Sequence, residues 1–97
     1  MAKYELSLEA QNSLKGIKSY SLKTFGARQT EVYLKSIQNQ MKKLSRNPTM
    51  GMERKDLKIG YYSYFVGSHT IYYLVIKDNI VIIDVLHQSM EPSIHLF

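Results

Sequence analysis

The sequence predicts an α+β fold, with one helical hairpin packed on one face of a small antiparallel sheet in the order β-α-α-β-β-β. Three observations predict it. Apolar residues in the first half recur at spacings of three and four, the period of a helix that buries one face. That period vanishes at Gly60, where aromatic and β-branched runs take over. Two turn segments, Gly67-Ser68 and Lys77-Asp78-Asn79, divide those runs into three strands that must return on one another.

Each element has its own local cause. Residues 3–7 alternate polar and apolar, which predicts a short strand with Tyr4 and Leu6 inward. Ser7 suits a helix N-cap, and Glu9 suits the positive end of the helix dipole. Ala10, Leu14, Ile17 and then Tyr20 or Ser21 form the apolar face of a helix running to about Phe25. Gly26 supplies a left-handed stop. A second helix spans about Arg28 to Ser45, with Thr30, Leu34, Ile37, Met41 and Leu44 as the seam of a nearly antiparallel helix pair. Asn47-Pro48 ends it. Residues 49–60 read as a polar, turn-like segment between Gly51 and Gly60. The strands are Tyr61 to Val66, His69 to Ile76 and Ile80 to His87. The last is apolar on nearly both phases, which places it centrally. Its phase Val81, Ile83, Val85 and His87 is assigned to the helices. Asp84 shares the other phase with Ile80, Ile82 and Leu86, so it must be paired or partly wet. Gln88 to Phe97 forms a tail.

Composition narrows the function classes. The chain has 97 residues, enough for a single domain spanning residues 1–97. Hydrophobic residues make up 44%, which excludes wholesale disorder. There is no cysteine, so disulfide scaffolds and thiolate metal sites are excluded. No apolar run approaches the roughly 18 residues of a membrane span, and the N-terminus has no apolar signal segment. The expected address is the cytoplasm of a bacterium. Net charge is +5, unevenly spread. Twelve basic and five acidic residues lie up to Ile59, a balance of +7; one basic and three acidic residues follow, a balance of −2. The lysines are scattered, which fits a solvated helix face first, an acidic protein partner next and a phosphate backbone last. No Gly-rich phosphate loop, paired carboxylate site or serine nucleophile with a base is visible. His69 and His87 lack carboxylate or thiolate support, so neither a metal nor a cofactor is expected.

Several short pieces, taken in order, resemble the ParE branch of the RelE/ParE toxins of type II toxin–antitoxin systems. They are Tyr4-x-Leu6-Ser7-x-x-Ala10, Ile17-x-x-Tyr20, Phe25-Gly26, Asn47-Pro48-x-x-Gly51 and Arg54-x-Asp56-Leu57-x-x-Gly60. His69-x-Ile71-x-Tyr73, Leu86-His87-x-x-Met90 and His95-Leu96 complete the set. The resemblance implies a toxin that inhibits DNA gyrase by protein–protein contact and keeps cleaved DNA from being resealed, with no catalysis of its own. It also implies plasmid-stabilisation biology and a ParD-like antitoxin whose toxin-binding part is acidic and folds on binding. No direct nucleic-acid specificity and no membrane partner are expected. A homodimer or a toxin–antitoxin heterotetramer is expected from the edge strands and the apolar last strand.

Two alternatives stand beside this reading. The RelE branch cuts ribosome-bound messenger RNA, which needs cations on the phosphate and a group to move the 2′-hydroxyl proton. Where that branch carries arginines, this sequence has Thr70 and, past the last strand, His87-Gln88. The third reading is a relative that binds its antitoxin and poisons nothing. Within the ParE pattern, Tyr62 replaces a common arginine.

The candidate target- or antitoxin-binding residues are Arg54, Asp56, Tyr62, Tyr64, His69, Tyr73, His87, Met90, His95, Leu96 and Phe97. Arg54 and Asp56 suit an ion pair as well as a partner contact. His69 is expected to be a hydrogen-bonded buried histidine sharing a network with the Tyr73 hydroxyl and touching His87 across the sheet. Half of the aromatic residues Tyr61, Tyr62, Tyr64 and Phe65 must face away from the helices, as an interface surface would. Met41, Met50, Met52 and Met90 read as core and loop filler.

Overall fold

A computed structural model describes residues 3–96; the candidate Phe97 lies outside the described residues. The elements are β1 (Tyr4–Leu6), α1 (Leu8–Phe25), α2 (Ala27–Arg46), a 3-10 turn (Pro48–Met50), β2 (Met52–Glu53), β3 (Tyr61–Val66), β4 (His69–Ile76), β5 (Asn79–His87) and α3 (Pro92–His95). Two helices over a sheet, as expected, account for most of the chain.

The helices start and stop where the local chemistry requires. The Ser7 hydroxyl accepts the Ala10 N–H at 3.0 Å and caps α1. Gly26 takes φ 89°, a conformation costly for a side chain, and so separates α1 from α2 in one residue. Ala10, Ile17 and Ser21 are the buried positions of α1, so Ser21 and not Tyr20 continues its inner face. On α2 the buried positions are Thr30, Ile37, Met41, Leu44 and Ser45, with Leu34 packed beside them.

The sheet has five strands in the order β1-β5-β4-β3-β2. The β3-β4-β5 meander is antiparallel as expected. The sheet as a whole is mixed, because β1 pairs in parallel with β5. A chain that leaves its first strand into a helical hairpin can return beside that strand in the same direction, and here it does so with its last strand. The segment after α2 is also less loop-like than its polarity suggests: Met52 and Glu53 pair with Ser63 and Tyr62.

The largest departure lies in β5. Tyr72 pairs with Asp84 but Tyr73 pairs with Ile82, which leaves Ile83 as a bulge. The extra residue reverses the phase of the strand. Ile80 and Ile82 therefore face the helices before the bulge, and Val85 does so after it. Val81 and Ile83, assigned to the helices by strict alternation, lie on the other side and are only half-buried. The last strand is thus largely covered, with Ile80, Ile82, Asp84, Val85 and Leu86 all buried. The core joins these residues to Ile71 and Tyr73 of β4 and to Ile37, Met41 and Leu44 of α2. Each large apolar side chain so buried contributes about 1.5–3 kcal/mol.

Candidate functional site

The β3–β4 hairpin and the bulge together bring two histidines to one end of the sheet. His69 opens β4, His87 closes β5, and the two are register partners. Their rings lie 5.4 Å apart, edge to face. The Tyr33 hydroxyl of α2 stands 2.6 Å from His69 Nδ1 and donates to the Val66 carbonyl at 3.1 Å. With the hydroxyl hydrogen on Val66, Nδ1 donates to the phenol oxygen and Nε2 keeps the lone pair. Burial, followed by the neighbouring His87, holds the His69 imidazole below its usual pKa. His87 Nδ1 accepts the Ser89 amide at 3.1 Å and meets the Ser89 hydroxyl at 2.7 Å.

The expected histidine network is therefore present, with a different tyrosine. Tyr73 is fully buried, and its hydroxyl donates to the Pro48 carbonyl at 2.6 Å while accepting the Gly51 amide at 3.1 Å. It anchors the segment after α2 and does not reach His69. Burial pushes its phenol up to about 12, the Gly51 amide opposing. Tyr33 is the residue the sequence did not single out, although it lies one position from the Leu34 seam and so beside the buried face.

The two histidines stand at the edge of a cavity of about 770 Å³ between the helices and this end of the sheet. Ile17, Tyr20, Phe25, Val32 and Tyr33 supply most of its apolar lining, with Ser21, Ser36, Gln29 and Ser68 as polar points. Tyr20, Phe25 and Val32 are each more than half exposed. Among the described lining residues there is no Lys, Arg, Asp or Glu. A second, open hollow shares Val32 and Ser36 and continues along α2 past Lys35, Lys42, Lys43 and Arg46. The surface thus passes from uncharged and apolar to strongly basic along one helix. Gln40 lines this second hollow, and its buried Oε1 has no hydrogen-bond partner among the described atoms.

On the opposite sheet face Arg54 gives Nε and Nη2 to the Asp56 carboxylate at 3.0 and 2.9 Å. Its guanidinium also reaches Ser63 Oγ at 3.4 Å and lies 5.9 Å from the centre of the Tyr72 ring. Hydrogen bonding to Arg54 holds the exposed Asp56 carboxyl below its ordinary pKa, and the same bond raises that of Arg54. Tyr62 and Tyr64 are not on this face. Both pack against the core, Tyr62 stacking on Tyr73 at 5.4 Å, while Phe65 is exposed on the outer side. Ile59, Met50 and Met52 are exposed too, so among the described methionines only Met41 lies in the core.

The tail returns across the outer side of β5. His95 and Leu96 line a cleft with Val81, Ile83, Asp84, Ser7 and Glu9. Met90 and Ile94 are exposed. Asp84, whose pairing was in question, accepts the Ser13 hydroxyl at 2.5 Å and the Val85 amide at 2.8 Å. The candidate residues therefore divide into groups: His69 and His87 at the apolar groove, Arg54 and Asp56 on the outer face, His95 and Leu96 in the tail cleft, and Tyr62, Tyr64 and Tyr73 inside.

This arrangement has known counterparts. Residues 4–92 match the family model described as the ParE toxin of type II toxin–antitoxin systems, parDE. The chain is 35% identical over 96 residues to Toxin ParE1 of Caulobacter vibrioides, covering 99% of both chains. It is 32% identical to Toxin ParE1 of Mycobacterium tuberculosis, covering 98% of both. A solved structure of the chromosomal ParDE toxin–antitoxin system from P. aeruginosa superposes with a TM-score of 0.77 over 90% of this chain and 96% of that one, at 17% identity. The likeness in fold joins a sequence match that runs almost from end to end, and on that footing the chain belongs to the ParE toxin family of type II toxin–antitoxin systems.

Proposed function

We propose that this toxin poisons DNA gyrase by protein–protein contact, without chemistry of its own, inside the cell that makes it. The Arg54–Asp56 pair carries the reading. A guanidinium that already gives two hydrogen bonds to a carboxylate is poorly placed to clamp a phosphate. The exposed apolar side chains Met52, Ile59 and Phe65 suit a protein surface better than a nucleic-acid one. The target surface comprises the outer strand residues, the Arg54 loop and the tail. The antitoxin neutralises the toxin from the other side, with apolar residues in the groove beneath Tyr20, Phe25 and Val32 and carboxylates over the cations of α2.

Purified gyrase with supercoiled plasmid tests the target. The expected result is linear, protein-linked DNA that accumulates with added toxin. No linear DNA, together with cleavage of ribosome-bound message, would assign the toxin to the nuclease branch. Normal growth on expression without antitoxin would mark it as a relative that poisons nothing.

A further inference from the structure

The groove between the helices is unusual in a chain of net charge +5, because its described lining carries no formal charge beyond what its histidines can acquire. The elements around His69 present few groups that could oppose its charge. α1 presents Tyr20 with Gly16, Ile17, Ser21 and Phe25; α2 presents Tyr33 with Gln29, Val32 and Ser36; the β3–β4 turn presents Ser68; β5 presents His87. The titratable groups are thus two tyrosines and a second imidazole, with no carboxylate to compensate a proton. The Tyr33 contact occupies Nδ1, so an added proton goes to Nε2.

We propose that the groove is a pH-gated seat, which holds an apolar partner segment while the His69 imidazole is neutral and releases it once His69 is protonated. The proposal rests on the reading above that an apolar segment of the antitoxin fills this groove. A seated segment removes water from the imidazole, and a buried cation with no partner is strongly disfavoured. Occupancy and protonation are therefore antagonistic, and by linkage each must weaken the other. The shelf of Lys35, Lys42, Lys43 and Arg46 lies further along α2, outside the lining of the groove, so the gate acts on the apolar end of the partner alone.

The probe is N-phenyl-1-naphthylamine, an uncharged apolar fluorophore that does not itself titrate in this range. Its dissociation constant is measured from about pH 7.5 to about pH 5.5, the range in which an imidazole changes charge. Binding at the upper end should be lost in Val32→Glu, which locates the dye in the groove. In the native protein it should weaken several-fold across the range, less than the tenfold that an imidazole at its ordinary pKa would impose. His69→Gln should bind with a markedly flatter profile. His87→Gln, at an exposed position, should move the midpoint to higher pH by removing the neighbouring imidazole's opposition to a proton on His69. A flat native profile with the dye in the groove would overturn the proposal, as would tighter binding in acid. The antitoxin is read separately: an affinity for the toxin unchanged by Val32→Glu, beside a pH-dependent dye, would remove the antitoxin from the groove and leave the gate standing.

Discussion

The hydroxyl of Tyr33 on α2 sits 2.6 Å from Nδ1 of His69 on β4, and the same oxygen donates to Val66 at 3.1 Å. One phenol therefore ties the helical hairpin to the end of the sheet. Tyr33→Phe keeps the ring and deletes both contacts, which leaves His69 Nδ1 with only the Ser68 hydroxyl at 3.5 Å. The expected loss is about 1–3 kcal/mol, read as a lower denaturant midpoint with unchanged slope. An unchanged midpoint would show that the contact does not stabilise the fold.

His69 gives stability a pH dependence of known sign. Its folded-state pKa lies below the ordinary 6.5 of the unfolded chain, from burial first and His87 second. Between those two values the unfolded chain binds more protons, so stability falls as pH drops. The contribution is complete above about pH 6.5 and is lost as pH falls through the folded value. Thermal midpoints measured from neutral to mildly acid pH should show this decline, and His69→Gln should remove part of it. Parallel curves for the two proteins would contradict the assignment.

Tyr73 governs the other end of the pH scale. Its phenol is pushed up to about 12 from 10.0, so the unfolded chain loses that proton first. Stability from Tyr73 is complete below the unfolded value and is lost as pH rises through the folded one. Tyr73→Phe should flatten the alkaline decline while costing about 1–3 kcal/mol at neutral pH, from the lost Pro48 and Gly51 partners. Gly51→Ala should be at least as damaging, because its Cβ would meet the Tyr73 hydroxyl and stand 2.8 Å from the Ser63 carbonyl. Equal stability of the alanine variant and the native protein would refute this close approach.

Removing residues 90–97 should abolish toxicity and leave antitoxin binding largely intact. The tail lies over Val81 and Ile83 on the outer side of β5, away from the groove between the helices. Growth on expression and co-purification with the antitoxin are the two readouts. A truncated chain that still kills would take the tail out of the target surface.

The helical half was legible because Ala10 and Ile17 on α1, and Ile37, Met41 and Leu44 on α2, keep the helical period on either side of Gly26. The meander was legible from its turns. The faces of β5 were not, because a bulge at Ile83 has no local signature in a run of β-branched residues that are apolar on both phases. The parallel β1–β5 pairing depends on a partner far along the chain, and the two-residue β2 is too short to show a strand period. At the site, the facing histidines followed from strand register. Their partners did not: Tyr33 comes from another element, and Tyr73, in phase with His69, spends its hydroxyl on Pro48.

Ser7 caps α1 while its hydroxyl donates to the Ile83 carbonyl at 2.6 Å, a contact between residues 76 positions apart. The first helix is thus fastened to the bulge of the last strand, and the first strand has no other neighbour in the sheet. During translation β1 therefore cannot take its place in the sheet until its β5 partners, 76 positions further on, have emerged to pair with it.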